Sequence, residues 1–149
     1  MSRFWRTTFR LQYAILALVD PLVRAWWVRF GMGNIAELRV RRRDGAGTRS
    51  RLVGLLHAGS AEYVGHPNGH VGWTRDLAAC GQATLHGPRG SGQRKVRAEL
   101  LSAGPERDGA IRATGQHPFP GNLVYRLGRR HIHDVGVFFR LTTVTDEGG

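Results

Sequence analysis

The chain has 149 residues, room for one domain with a real core, and its formal net charge of +11 comes almost entirely from arginine, since Lys95 is the only lysine. Such a balance calls for an acidic counterpart: nucleic acid, an anionic membrane or a multiply charged small molecule. The single cysteine, Cys80, excludes an intramolecular disulfide framework and fits a reducing compartment.

Residues 1–34 read as two amphipathic helices packed on or over the remainder of the domain. At about 100° per residue Arg3, Arg6 and Arg10 share a narrow arc, and Phe4, Trp5, Phe9, Leu11, Ile15 and Leu18 occupy much of the rest. Asp20 and Pro21 then supply an N-cap and a proline at the first helical position. Leu22, Val23, Trp26, Trp27 and Phe30 come next on one face, and Gly31 is the stop. The apolar run Tyr13–Val19 is too short to span a bilayer, and Asp20, Pro21 and Arg24 interrupt any extension. Where a secretory signal needs a small-residue cleavage site the chain offers Asp20, Pro21 and large aromatics, so a cytoplasmic protein is expected. Arginine on one face and aromatics on another suit a docked helix or active-site lid. A docked helix is the commoner use of such a stripe, and an anionic membrane surface met through residues 3–19, at the inner face of the membrane, is the alternative.

From Ala36 the apolar period changes to two. Leu38 and Val40 alternate with Arg39 and Arg41; Leu52, Val53, Leu55 and Leu56 form a more continuously apolar strand; Ala58, Gly59 and Ser60 turn into a strand ending near Gly65. A helix near Trp73–Cys80 precedes a strand at Gln82–His86, an exposed Gly-rich loop and a further alternating strand through Val96, Ala98 and Leu100. Ser102–Gly115 and Leu123–Gly128 are loops or short helices, and Val135, Val137, Phe139 and Leu141 alternate as a last strand before a frayed tail at 146–149. The sheet is expected to be largely antiparallel and to form one barrel over 35–145.

Two stretches can carry chemistry. Tyr63–Leu77 runs from a strand through a Gly- and Pro-punctuated loop into a helix start, where freed backbone N–H groups suit an anion. Upstream, Arg41, Arg42, Arg43, Arg49 and Arg51 surround a Gly-Ala-Gly turn. They fit a solvated edge, a nucleic-acid or lipid patch, or a phosphate cradle; two arginines flanking such a turn favour a compact anion over a duplex. Trp73 is most simply a core anchor. The histidines His57, His66, His70, His131 and His133 lack any spacing of a zinc site, so they are read as structural or pocket-lining and no metal is expected. His131 and His133 are placed on one strand, and Cys80 in the core.

The order of strand, basic Gly turn, strand, Tyr63 strand, loop, Trp73-x-x-Asp76-Leu77 helix and Ala83-Thr84-Leu85 strand resembles the deazaflavin-dependent nitroreductase and quinone reductase family. The likeness runs from about Leu38 to Leu101. In that family the turn reads Gly-Arg-Lys/Arg-Ser-Gly-x-x-Arg and the helix Trp-x-x-Asn-Leu; here the turn is Arg42 to Arg49, and Asp76 brings a negative charge where the family has Asn.

The resemblance implies an α+β, mainly β fold, a split β-barrel with N-terminal helices. It implies the reduced 5-deazaflavin coenzyme F-420 as cofactor, with FMN second, and hydride transfer to an apolar quinone, nitro compound or activated alkene. The implied cofactor-binding residues are Arg42, Arg43, Gly45, Gly47, Thr48, Arg49, His66, Asn68, Gly69, Trp73, Arg75, Asp76 and Leu77. Tyr125 and Tyr63 are the implied proton or hydrogen-bond donors, with Tyr13, Trp26 and Trp27 lining the apolar side of the pocket. Arg43 and Arg49 are taken as exposed tail ligands whose removal spares the fold. The alternative is a non-catalytic split-barrel binding protein for flavin, haem or lipid, or a basic nucleic-acid module. A small-molecule acceptor is the expected partner, a homodimer is compatible, and nucleic acid is not favoured.

Overall fold

Period-two alternation builds seven strands in the computed structural model, which describes residues 2–22, 25, 34–88, 92–117 and 121–145. They are β1 (Ile35–Arg41), β2 (Thr48–Gly54), β3 (Leu56–Ala58), β4 (Ala61–His66), β5 (Gln82–His86), β6 (Gln93–Leu100) and β7 (Val137–Thr143). All neighbours pair antiparallel, in the order β2-β1-β5-β6-β7-β4-β3. β2 and β3 stand at opposite ends of that order, yet only Leu55 separates them in the chain. The expected single strand through Leu52–Leu56 is therefore two, hinged at Leu55, whose N–H bonds Asn34 O at 2.8 Å. This bend carries one edge of the sheet toward the other, so that β2 also touches β4 and the sheet curls into a half-barrel.

Adjacent residues of β4 and β7 serve two different cores. Val64 and Phe139 point into the barrel with Leu38, Val40, Val96, Trp73 and Leu77, whereas Tyr63 and Phe138 point outward into a second cluster with Phe9, Leu56, Ile111, Tyr125 and Ile132. Because successive side chains on a strand alternate faces, burial on both faces demands the unbroken apolar runs that these two strands carry. β1 shows the other case: Leu38 and Val40 are buried while Arg39 and Arg41 are exposed.

Among the described residues five α-helices are α1 (Ser2–Leu18), α2 (Gly72–Cys80), α3 (Pro105–Arg112), α4 (Gly121–Leu127) and α5 (Arg129–Val135). α2 packs Trp73 and Leu77 against the barrel interior and ends at Gly81, whose φ of 72° is the left-handed cap conformation that glycine adopts without steric cost. α1 lays Trp5, Phe9 and Tyr13 on the outer cluster. It comes close at Gly128, where an added Cβ would meet the Phe9 ring at 3.0 Å and Trp5 at 3.1 Å. Arg107 is buried, and its guanidinium donates to Gly136 O at 2.8 Å and Ile132 O at 3.2 Å, satisfying carbonyls at the end of α5.

Several expectations need correction. His131 and His133 lie on α5, not on a strand, and the last strand begins at Val137 because Val135 closes that helix. Two open alternatives, by contrast, resolve as helix: Ser102–Gly115 supplies α3, with Pro105 at its first turn, and Leu123–Gly128 supplies most of α4. Cys80 is exposed rather than in the core, since it falls at the α2 terminus one residue before the cap. Trp26, Trp27 and Phe30 of the second expected helix, the tip of the loop between β5 and β6, Pro118–Pro120 and the tail at 146–149 lie outside the described residues. No described helix is long and apolar enough to cross a membrane.

Candidate functional site

The loop from β4 to α2 is shaped by its own glycines and by one asparagine. Gly69 has φ 91°, and Asn68 joins three segments: its side-chain N–H donates to Arg6 O on α1 at 3.0 Å, and its Oδ1 accepts from His131 Nε2 on α5 at 2.8 Å. Its backbone N–H donates to His66 Nδ1 at 3.2 Å. The loop then enters α2 with the Thr74 hydroxyl accepting the Val71 N–H at 2.7 Å and donating to Val71 O at 3.0 Å.

Between α1 and this loop lies a cavity of about 460 Å³. Arg6, Arg10 and Arg75 give it a cationic rim, and Phe9, Tyr13, Ala14 and Val71 an apolar wall, with His66, Asn68 and His70 completing the lining. The Tyr13 ring packs on His66 with centroids 4.7 Å apart, and its hydroxyl lies 2.6 Å from that of Tyr125, which backs the cavity from α4. Burial pushes the His66 imidazole down to about 4, so it is neutral near pH 7. His131 is also lowered, by burial first and then by the Arg6 charge, against a smaller opposing pull from Asp134. Burial raises the Tyr13 phenol, an effect reduced by its bond to Tyr125. Tyr125 is raised well above the usual phenol range by burial and by Tyr13.

The basic turn carries internal ion pairs. Arg49 Nε lies 2.7 Å from Asp76 Oδ2, Arg43 Nε lies 3.0 Å from Asp76 Oδ1, and the Arg43 backbone N–H donates to the same oxygen at 3.2 Å. Burial alone would raise the Asp76 carboxyl; the Arg43 N–H, the Arg49 hydrogen bond and both charges outweigh it and hold it below the usual carboxylate range. Arg49 also lies against Gly72, where a Cβ would stand 2.6 Å from its guanidinium. Gly45 (φ 76°) and Gly47 (φ 101°) shape an exposed turn, with Arg42 near Asp44 and Thr48 opening β2.

Of the residues implied by the sequence, His66, Asn68 and Arg75 therefore line the cavity, with Gly69 in its loop. Trp73 and Leu77 belong to the barrel core, and Arg42, Arg43, Gly45, Gly47, Thr48, Arg49 and Asp76 gather at the turn. Tyr125 reaches the cavity only through Tyr13, and Tyr63 sits in the outer cluster, its phenol raised by burial and by Glu106 against a lowering effect of Arg140. Sequence reasoning missed Arg6 and Arg10 as cavity residues. Their i, i+4 spacing beside the Phe9 and Tyr13 positions of the docked face is the signal that points to them. No group of three or more potential metal ligands occurs among the described residues.

No family model matches the chain, and no curated protein matches it. Solved structures do. The haem storage protein HutZ from Vibrio cholerae superposes with TM-score 0.56 at 11% identity, over 85% of this chain and 91% of that one. A pyridoxamine 5'-phosphate oxidase-like protein from Listeria innocua gives 0.51 at 11% identity, over 91% and 94%. A haem-binding protein from Mycobacterium smegmatis gives 0.50 at 15% identity, over 82% of this chain and 53% of that one. At such identities the likeness is one of architecture: an α+β protein whose curled antiparallel sheet is the split β-barrel.

Proposed function

We propose that this chain is a split-barrel oxidoreductase that holds a planar, anionic flavin-class cofactor, coenzyme F-420 first and FMN second, in the cavity between α1 and the β4–α2 loop. The observation that carries this reading is the composition of that cavity. Its three arginines suit phosphate and carboxylate groups, and Phe9, Tyr13 and Val71 suit a flat apolar ring. Its volume falls within the range of sites for drug-sized ligands. The cationic rim replaces the basic turn in this role, because Arg43 and Arg49 already share the Asp76 carboxylate.

A reduced deazaflavin or flavin supplies hydride to an apolar acceptor such as a quinone, nitro compound or activated alkene. The protein's part is then to bind the acid groups through Arg6, Arg10 and Arg75, to keep the ring in an apolar setting, and to offer a hydrogen bond or proton from Tyr13 to the reduced acceptor. Haem is the competing ligand: the Asn68 N–H occupies His66 Nδ1 and puts the proton of that neutral ring on Nε2, which leaves His70 as the cavity imidazole able to meet iron.

Fluorescence titration with F-420, FMN and haem, followed by a turnover assay with reduced deazaflavin and a panel of quinones and alkenes, tests the proposal. Micromolar or tighter F-420 binding that weakens in Arg6→Ala and Arg75→Ala, with deazaflavin oxidation above the uncatalysed rate, is the expected result. Tight binding without oxidation by any acceptor would make the protein a carrier, and failure to bind either flavin would end the reading.

A further inference from the structure

Docking α1 on the outer cluster uses only one of its apolar faces. Trp5, Phe9 and Tyr13 go inward, but Phe4 is 65% exposed and Leu18 83%, and Leu11 and Ile15 are exposed beside them. At 3.6 residues per turn Phe4, Leu11, Ile15 and Leu18 fall within about 60° of one another, and Leu22, also exposed, lies just beyond the helix end. Thr7, Thr8 and Ala14 flank this stripe, so a broad sector of the helix surface carries no charge. Arg3 and Arg10, both exposed, border that sector on one side.

We propose that this second face of α1 binds the surface of an anionic membrane, with Phe4, Leu11, Ile15 and Leu18 entering the headgroup–acyl boundary and Arg3, which does not line the cavity, meeting lipid phosphate. An in-plane interfacial helix needs an exposed apolar stripe, basic residues at its border and a surface of opposite charge. The helix is not apolar enough to span, which leaves the surface mode. A second copy of the chain is the competing occupant, and charge disfavours it. Residues 1–19 contain no acidic residue, and each copy has a net charge of +11, so a partner α1 would set Arg3 and Arg10 against like charges with nothing to pair them. An anionic headgroup pairs with Arg3 instead. The inward aromatic face stays docked, so membrane binding does not require α1 to leave the cavity, and the inference does not depend on the cofactor.

The test is co-sedimentation of the full chain with phosphatidylglycerol-containing vesicles and with pure phosphatidylcholine vesicles, alongside a Leu11→Ser/Leu18→Ser variant and an Arg3→Glu variant. Both leucines are exposed, so the variants should keep the wild-type Tm; Phe4→Ser serves as a second apolar variant. The expected result is binding to anionic vesicles that weakens roughly tenfold or more in the double variant, and that weakens in Arg3→Glu and with rising salt. Equal binding of wild type and double variant would reduce the effect to bulk charge and overturn the proposal. So would absence of vesicle binding, and so would a lipid-free dimer, seen by sedimentation velocity, that dissociates in the double variant.

Discussion

Arg49 and Asp76 are locked together, Nε to Oδ2 at 2.7 Å, with the carboxylate buried and the arginine laid against Gly72 at the start of α2. The pair ties β2 to the helix that fills the barrel. Residues that spacing alone presents as ligands for an external anion thus find an internal one. Removing the arginine leaves a buried charge with only Arg43, which is about half exposed, to meet it.

Arg49→Ala is accordingly expected to destabilise the fold by about 2 kcal/mol, a Tm loss of roughly 5 °C, and Arg43→Ala by less. Adding Asp76→Asn to Arg49→Ala should recover part of the loss, because the orphaned charge goes with it. Thermal unfolding of the four proteins measures this. An unchanged Tm in Arg49→Ala together with weakened F-420 affinity would return the turn to the role of tail cradle.

How much of this is legible in the sequence depends on the range over which each signal acts. Six strand segments, the α2 helix and the Ala58–Ser60 turn follow from local period and turn chemistry, with β2 and β3 read as one, and the split-barrel expectation holds. The hinge at Leu55 does not follow, because a continuous apolar run looks the same whether it stays in one sheet edge or crosses to another. Nor does the partition of α1, where two apolar stripes flank a basic arc and only the tertiary fold decides that Phe9 goes in and Leu11 stays out. Asp76 stands out in the sequence as a negative charge beside expected phosphate contacts. Its capture of two arginines 33 and 27 residues away is a long-range contact that no local pattern encodes.

The backbone of Gly65 is closely approached. A Cβ there would stand 2.7 Å from Val137 O on the paired strand and collide with the Phe138 ring. Gly65→Ala should therefore cost about 1 to 3 kcal/mol by overpacking at the β4–β7 ladder. Gly47→Ala, with open space around it, should suffer only the strain of its φ of 101°. Chemical denaturation of both variants checks the ranking, and a Gly65→Ala protein as stable as wild type would contradict the packing described for β4 and β7.

Stability should also fall in mild acid. Burial lowers His66 and His117 to about 4 from an ordinary value of 6.5, so between these limits the unfolded chain binds more protons than the folded one. Above pH 6.5 neither group affects stability; as pH drops through the window toward 4, each contributes a progressive loss that together reaches on the order of a few kcal/mol. His131, lowered in the same sense, adds to it. Tm measured from pH 7.5 to pH 4.5 should decline, and the slope should flatten in His117→Gln. A flat profile in the wild type would mean that these rings are protonated without cost in the folded protein.

Two phenols stand behind the cavity. Tyr13 lines it and Tyr125 does not, yet their hydroxyls are 2.6 Å apart, so one must donate to the other. With Tyr125 as donor, Tyr13 accepts at its oxygen and keeps its own O–H for whatever lies in the cavity. Both phenols are held above the usual range, chiefly by burial, and stay protonated at neutral pH, which suits hydrogen-bond donation to oxygen on a reduced quinone or nitro acceptor. Tyr13→Phe should then lower kcat roughly tenfold to a hundredfold with F-420 affinity changed by about twofold at most, since a proton donor acts mainly in the transition state. Tyr125→Phe removes only the group that orients Tyr13 and should have a smaller effect on kcat, while Tyr63→Phe, in the outer cluster, should have none. Steady-state kinetics with separate titrations of cofactor affinity distinguish these outcomes. A loss in Tyr63→Phe equal to that in Tyr13→Phe, or a Tyr13→Phe loss confined to cofactor binding, would remove Tyr13 from the chemistry and leave it as part of the cavity wall.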